Sequence, residues 1–127
     1  MMMARLLLID VENDDVREIE CETLDDYYKN LGCDCFNIAY RAVGDRAFDI
    51  FCDDEGLLKN DSILSAVTSD GEPALVGNLI FANHDCEGRT TSLSDDDIAI
   101  ILSHIKNAAT FRNDEPHFHK VVVGVDY

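Results

Sequence analysis

Four short groups of side chains carry reactive atoms at spacings that suggest chemistry. Asp53-Asp54-Glu55-Gly56 places three carboxylates within four residues, which suits a hard divalent cation or a charged recognition surface. A calcium loop would spread its oxygens over alternate positions and add a distal bidentate glutamate. Neither feature is here, and tight turns favour Asp and Gly for backbone reasons alone. His117-Phe118-His119 brings two imidazoles to one face if the segment is a strand, a pairing that suits zinc, and His84-Asp85 could add ligands if the fold draws that loop near. Cys33-Asp34-Cys35 offers two thiols, but the acids beside them raise a thiol pKa and no basic neighbour lowers it. Asp95, Asp96 and Asp97 follow Ser94 and suit the positive start of a helix, each worth about 0.3–1 kcal/mol there. There is no Gly-rich phosphate loop, nucleophile elbow or His-Glu zinc helix, and no cofactor is expected.

The charge balance narrows the choice of partners. Twenty-six acidic residues against ten basic ones give a net charge of −16 on 127 residues. Such a surface repels nucleic acid and anionic membrane and attracts basic protein. An apolar share of 46 % is too high for a disordered acidic tail, so the acids coat a folded body, read as a single domain over residues 1–127. Five cysteines are odd in number, and the one-residue gap between Cys33 and Cys35 fits no metal knuckle. No run has a signal core or approaches the roughly 18 apolar residues of a membrane span. Free, mostly buried thiols and a cytoplasmic location follow as expectations.

Positioning these groups falls to elements readable from period and punctuation. Ala4 to Ile9 reads as a strand covered on both faces. Val16 and Ile19 stand at a helical step within Asn13 to Glu22. Thr23 caps a helix with Leu24, Tyr27, Tyr28 and Leu31 as its apolar face and Gly32 as its stop. Phe36, Ile38 and Tyr40, then Phe48, Ile50 and Cys52, alternate on either side of Gly44-Asp45 and predict a β-hairpin. Lys59 to Pro73 reads as a loop with a helical turn around Ile63 to Val67. Leu75 to Phe81 reads as one strand with a bulge at Gly77-Asn78. Ser94 caps a helix whose stripe is Ile98, Ile101, Leu102 and Ile105, and His117 to Val125 predicts a final strand. The fold class is α+β: a mostly antiparallel sheet with a central hairpin and two to three helices packed on one side.

Four segments resemble a known family. They are Gly32-Cys33-Asp34-Cys35, Phe48-Asp49-Ile50 leading into Asp53-Asp54-Glu55-Gly56, Leu75-Val76-Gly77-Asn78-Leu79-Ile80, and Leu93-Ser94-Asp95-Asp96-Asp97-Ile98. Their order and spacing over Leu31 to Ile105 are similar to domain-of-unknown-function family three thousand eight hundred and forty-six. The resemblance implies an α+β fold and an accessory role in phages and other mobile elements. It carries over no catalytic residue.

The favoured reading is a non-enzymatic acidic protein that engages a basic protein partner, with Asp53, Asp54, Glu55, Asp95, Asp96 and Asp97 as partner-binding residues. A sharper version has it imitate nucleic acid, whose duplex carries about one charge per 1.7 Å of axis. One alternative is a small metal-dependent enzyme or metal-binding module built on His117 and His119. Another is a structural domain that self-associates through a free sheet edge.

Overall fold

A computed structural model describes residues 4–11, 13–33, 35–53, 63–112 and 114–126, the side chains at 110–112 and 117 excepted. In chain order the elements are β1 (Ala4–Asp10), β2 (Asp15–Cys21), α1 (Leu24–Leu31), β3 (Phe36–Val43), β4 (Arg46–Asp53), β5 (Leu64–Val67) and β6 (Pro73–Val76). There follow β7 (Leu79–His84), β8 (Thr90–Thr91), α2 (Asp95–Ser103), β9 (Ile105–Arg112), β10 (Glu115–Val122) and β11 (Val125–Asp126). The described residues form mostly antiparallel sheet with two helices. One sheet runs β11-β3-β4-β7-β1-β2 with β8 beside β7, and a second runs β6-β5-β10-β9. Among the described residues only β5 and β10 pair in parallel.

Four consecutive apolar residues in β1, Leu6 to Ile9, are all buried, and such a strand needs cover on both faces. It has it. Leu6 and Leu8 join Phe51, Ile80 and Ala82 on one side, where Tyr27 and Leu31 of α1 pack down. Leu7 and Ile9 join Phe48, Ile50, Leu79 and Phe81 on the other, under Ile98 and Ile101 of α2 and under Ala66 and Val122 of the second sheet. The two helices therefore lie on opposite faces of the large sheet, which corrects the expectation of helices on one side. Burying each such Leu, Ile or Phe contributes about 1.5–3 kcal/mol, so the two-faced core dominates stability.

Both helices begin where their caps dictate. The Asp26 carboxylate accepts the Thr23 N–H at 3.0 Å and the Glu22 N–H at 2.8 Å, and Gly32 ends α1. Leu24, expected on the apolar face, is instead exposed. Ser94 Oγ accepts the Asp97 N–H at 3.1 Å. Ile105 leaves the expected stripe of α2 and starts β9.

Four segments depart from expectation, one of them His117 to Val125, which divides between β10 in the second sheet and β11 in the first. Residues 15–21 form the strand β2 rather than a helix. Val16 packs on the α2 side and Ile19 on the α1 side, so a three-residue step on two faces of a strand imitates a helical period. Ile63 to Val67 holds β5, not a helical turn. Leu75 to Phe81 belongs to two strands in different sheets, divided at Gly77 (φ 77°), whose N–H donates to the Ile63 carbonyl at 2.8 Å. The acidic turn read at Asp53-Asp54-Glu55-Gly56 lies, from Asp54 on, outside the described residues.

Gly44 turns the β3–β4 hairpin at φ 66°, a left-handed conformation that costs an L-residue about 1–2 kcal/mol. A Cβ there would also meet His104 Cε1 at 3.2 Å and Ile100 Cγ2 at 3.3 Å. Gly44→Ala is expected to lower stability by about 1–3 kcal/mol in urea unfolding. An unchanged midpoint would contradict this turn geometry.

Candidate functional site

The sheet register collects charge at one end of the molecule. Leu7 pairs with Phe81 and Arg5 with Glu20, so the start of β1 lies beside the end of β7 and beside the edge strand β2. The start of α2 crosses this end. Its Asp97 accepts Arg46 Nη1 of β4 at 2.6 Å, Asn83 Nδ2 of β7 at 2.8 Å and the Ser94 N–H at 2.9 Å. Arg5 of β1 donates through Nη1 to Asp95 at 2.7 Å and through Nε to Glu18 of β2 at 2.7 Å. Exposed Asp45, in the hairpin turn, and exposed Asp96 add their fields at Arg46, whose pKa is raised first by the Asp97 hydrogen bond and then by these charges. From β4 to β2 the row crosses four strands, about 14 Å.

The electrostatics at this end are those of fixed anions. Burial pushes the Asp97 carboxyl up, but the Ser94 amide, Arg46 and Asn83 more than reverse it and bring it down to about 2. Asp10 behaves alike: burial opposes ionisation, and hydrogen bonds from Asn13 and Arg17 hold the pKa below its usual range. Hydrogen bonds also lower Asp26, Asp85 and Asp126. A general acid needs a carboxyl shifted the other way.

Of the six acids expected to bind a partner, the four that are described do not form one patch. Asp95, Asp96 and Asp97 stand together on α2, while Asp53 ends β4 opposite Phe36. Asp53 and Arg46 are seven residues apart along β4, about 23 Å. Asp54 and Glu55 lie outside the described residues. Asp97 is only 6 % exposed and its oxygens are engaged by β4, β7 and its own cap, so its part in the row is structural. Glu18, Glu20 and Asp45 were missed as neighbours of α2, because only long-range pairing brings them there.

The remaining candidates fall in different places. His119 of β10 is buried, with Nε2 at 2.7 Å from the Leu64 carbonyl, and His117 lies opposite Thr110 in the β9–β10 ladder. His84 is in the other sheet, its Nδ1 2.9 Å from Asp49 Oδ2 and its ring 5.5 Å from that of Tyr40. Among the described residues no three His, Cys, Asp or Glu side chains stand where they could hold a metal ion. No described helix is long and apolar enough to cross a membrane.

Among the thiols, Cys35 and Cys86 are exposed while Cys21 and Cys52 are buried. Burial, and then the Asp26 charge, push the Cys21 thiol up to about 11. Cys35 and Cys86 are expected to react with a disulfide reagent at neutral pH well before Cys21 and Cys52, by roughly tenfold or more. Mass mapping of the labelled protein checks the order, and early labelling of Cys21 would contradict it.

A family model for a domain of unknown function, DUF3846, matches residues 3–106. The match reaches β1, β2 and α1 as well as the segments from Leu31 to Ile105, and stops before most of β9 and all of β10 and β11. No curated protein and no solved structure matches the chain. With most of its length covered by that model, the chain belongs to the DUF3846 family.

Proposed function

We propose that this is a non-enzymatic binding domain that meets a basic protein partner through the acidic row at the start of α2. The observation that supports it is the state of the guanidiniums. Arg5, Arg17, Arg46 and Arg89 are each held by carboxylates of the chain itself. Asp45, Asp96 and Glu20 are exposed beside two of those arginines and have no ion pair among the described residues.

Magnitude decides between a basic patch and nucleic-acid mimicry. Six carboxylates and two guanidiniums leave about four net charges over about 14 Å, where duplex DNA would present about eight. Half the density favours a compact basic patch on a protein over a groove shaped for a duplex. The setting we propose with it is the cytoplasm, as an accessory protein of a phage or mobile element. The family likeness, and five cysteines that form no disulfide, support that setting.

Affinity capture from lysate at two salt concentrations tests the reading. A partner is expected at roughly 50 mM salt and lost at roughly 1 M, where the Debye length is about 3 Å. Equal recovery at both would contradict an acid-driven contact.

A further inference from the structure

α2 differs from the charged surface around it. Acids make up 26 of the 127 residues, yet from Ile98 to Ile105 there is no Asp, Glu, Lys or Arg. Ile98 to Leu102 is apolar without a break, although only Ile98 and Ile101 of that run are buried. Ala99 is exposed, and Leu102 is 46 % exposed. α1, by contrast, has Asp25 and Lys29 among its exposed residues. A helix that is apolar all round is normally covered on every side, as the run Leu6 to Ile9 in β1 is. The outer side of α2 is open among the described residues.

That open side has a shape and a sign. Asp95, Ala99 and Leu102 stand at i, i+4 and i+7, one line along the helix about 10 Å from end to end. Ala99 and Ser103, both small and exposed, leave a shallow groove between the ridges of Leu102 and Ile100. Asp95 heads the line with its side chain 89 % exposed despite the bond from Arg5, and exposed Asp96 stands next to it. Asp45 flanks the helix: its neighbour Gly44 lies against Ile100 and His104, and its neighbour Arg46 is bonded to Asp97. The face is therefore apolar in the middle and anionic at its head and along one flank.

We infer that the outer face of α2 binds an amphipathic, basic helix of a partner protein, antiparallel to α2. The inference rests on the proposed acid-driven reading and adds the shape of the partner. Antiparallel packing brings the partner's last turn, where lysine and arginine suit the helix dipole, over Asp95 and Asp96. Apolar residues one and two turns earlier in the partner then meet Ala99 and Leu102. A helix of nine residues is about 13 Å long, too short to supply alone the roughly 800 Å² per partner of a standard interface. That size suits a weak, salt-sensitive contact and argues against a stable dimer of this chain, which a charge of −16 on each copy also opposes.

The test titrates the full chain at low salt with a capped peptide of about 16 residues, leucine and alanine on one helical face and arginine in its last turn. A control peptide has the same residues and charge, with its leucines spread round the helix. The first is expected to bind roughly tenfold more tightly than the control, with amide shifts gathered over α2. Leu102→Ser, at an exposed position, is expected to weaken it roughly fivefold. Asp95→Asn with Asp96→Asn is expected to weaken it roughly tenfold at low salt and little at roughly 1 M. If both peptides bind equally and Leu102→Ser changes nothing while the double substitution weakens binding, the contact is charge alone: the α2 face falls and the acid-driven reading stands. Shifts centred away from α2 overturn the face as well. If neither peptide binds, or binding ignores both salt and the double substitution, both readings fall. A doubled mass without peptide that Leu102→Ser abolishes overturns the occupant in favour of a second copy.

Discussion

Asp97→Ala is expected to cost about 2–4 kcal/mol and to lower the melting temperature by roughly 10 °C. The carboxylate closes the capping box of α2 with Ser94 and ties that helix to Arg46 of β4 and Asn83 of β7. Its removal breaks one half of that box while Ser94 Oγ still caps the helix, and it strands three donors, Arg46, Asn83 and the Ser94 N–H, at a buried contact. The pH dependence gives an independent check. Unfolded, this carboxyl takes up its proton near 3.8; folded, near about 2. A depressed folded pKa stabilises the native state fully above 3.8, and that stability is lost as pH falls through about 2. The contribution is about 2 kcal/mol. The gap between native protein and variant is expected to shrink by that amount from neutral pH to about pH 2 in denaturant titrations. A gap that stays constant, or a variant as stable as the native chain, would contradict the linkage drawn here.

Phe51→Ala is expected to be at least as damaging, at about 3–5 kcal/mol. Phe51 is buried on the α1 side of the sheet, its ring 4.6 Å from that of Tyr27 and 5.4 Å from that of Phe36. Truncation would open a cavity under α1 and remove the stacking that holds Tyr27. Hydrogen exchange in the native state is expected to rise most over residues 24–31, with α2 on the other face less affected, and urea unfolding measures the total cost. A loss under about 1 kcal/mol would contradict the packing of α1 on this face.

How far the sequence reports the fold depends on whether a feature is local. Thr23 with Asp26, Ser94 with Asp97, and Gly44-Asp45 between alternating runs each fix their element within a few residues, and those elements stand where expected. β5 has no such local mark. It is held by β6 and by a parallel contact of Ala66 with Val122, 56 residues later by their numbers. β2 misleads because Val16 and Ile19 serve different faces of the sheet. Gly77 reads as a bulge because the sequence cannot show that the chain changes sheets there. The placement of helices on opposite faces follows from Leu6 to Ile9, whose unbroken apolar run signals cover on both sides but not by what.

The candidate site is legible to a similar degree. Asp95 and Asp96 are visible as exposed acids at a helix start, and Asp97 looks equivalent to them in sequence. Its burial comes from Arg46 and Asn83, which lie 51 and 14 residues away. Arg5 joins β1, β2 and α2 through Glu18 and Asp95, a contact spanning 90 residues that no local pattern announces. Two imidazoles one residue apart suggest a metal, yet the ring of His119 is turned to the Leu64 carbonyl inside the second sheet.

The most direct test of the acidic row compares two triple variants with equal loss of charge. Asp45→Asn, Asp95→Asn and Asp96→Asn together remove three of the roughly four net charges of the row without touching Asp97. Asp70→Asn, Glu72→Gln and Asp114→Asn remove the same charge from exposed positions elsewhere. Binding of the partner captured at low salt is expected to weaken by roughly tenfold or more in the first variant and to change little in the second. Equal weakening in both, or none in the first, would contradict the claim that the row at the start of α2 is where the partner binds.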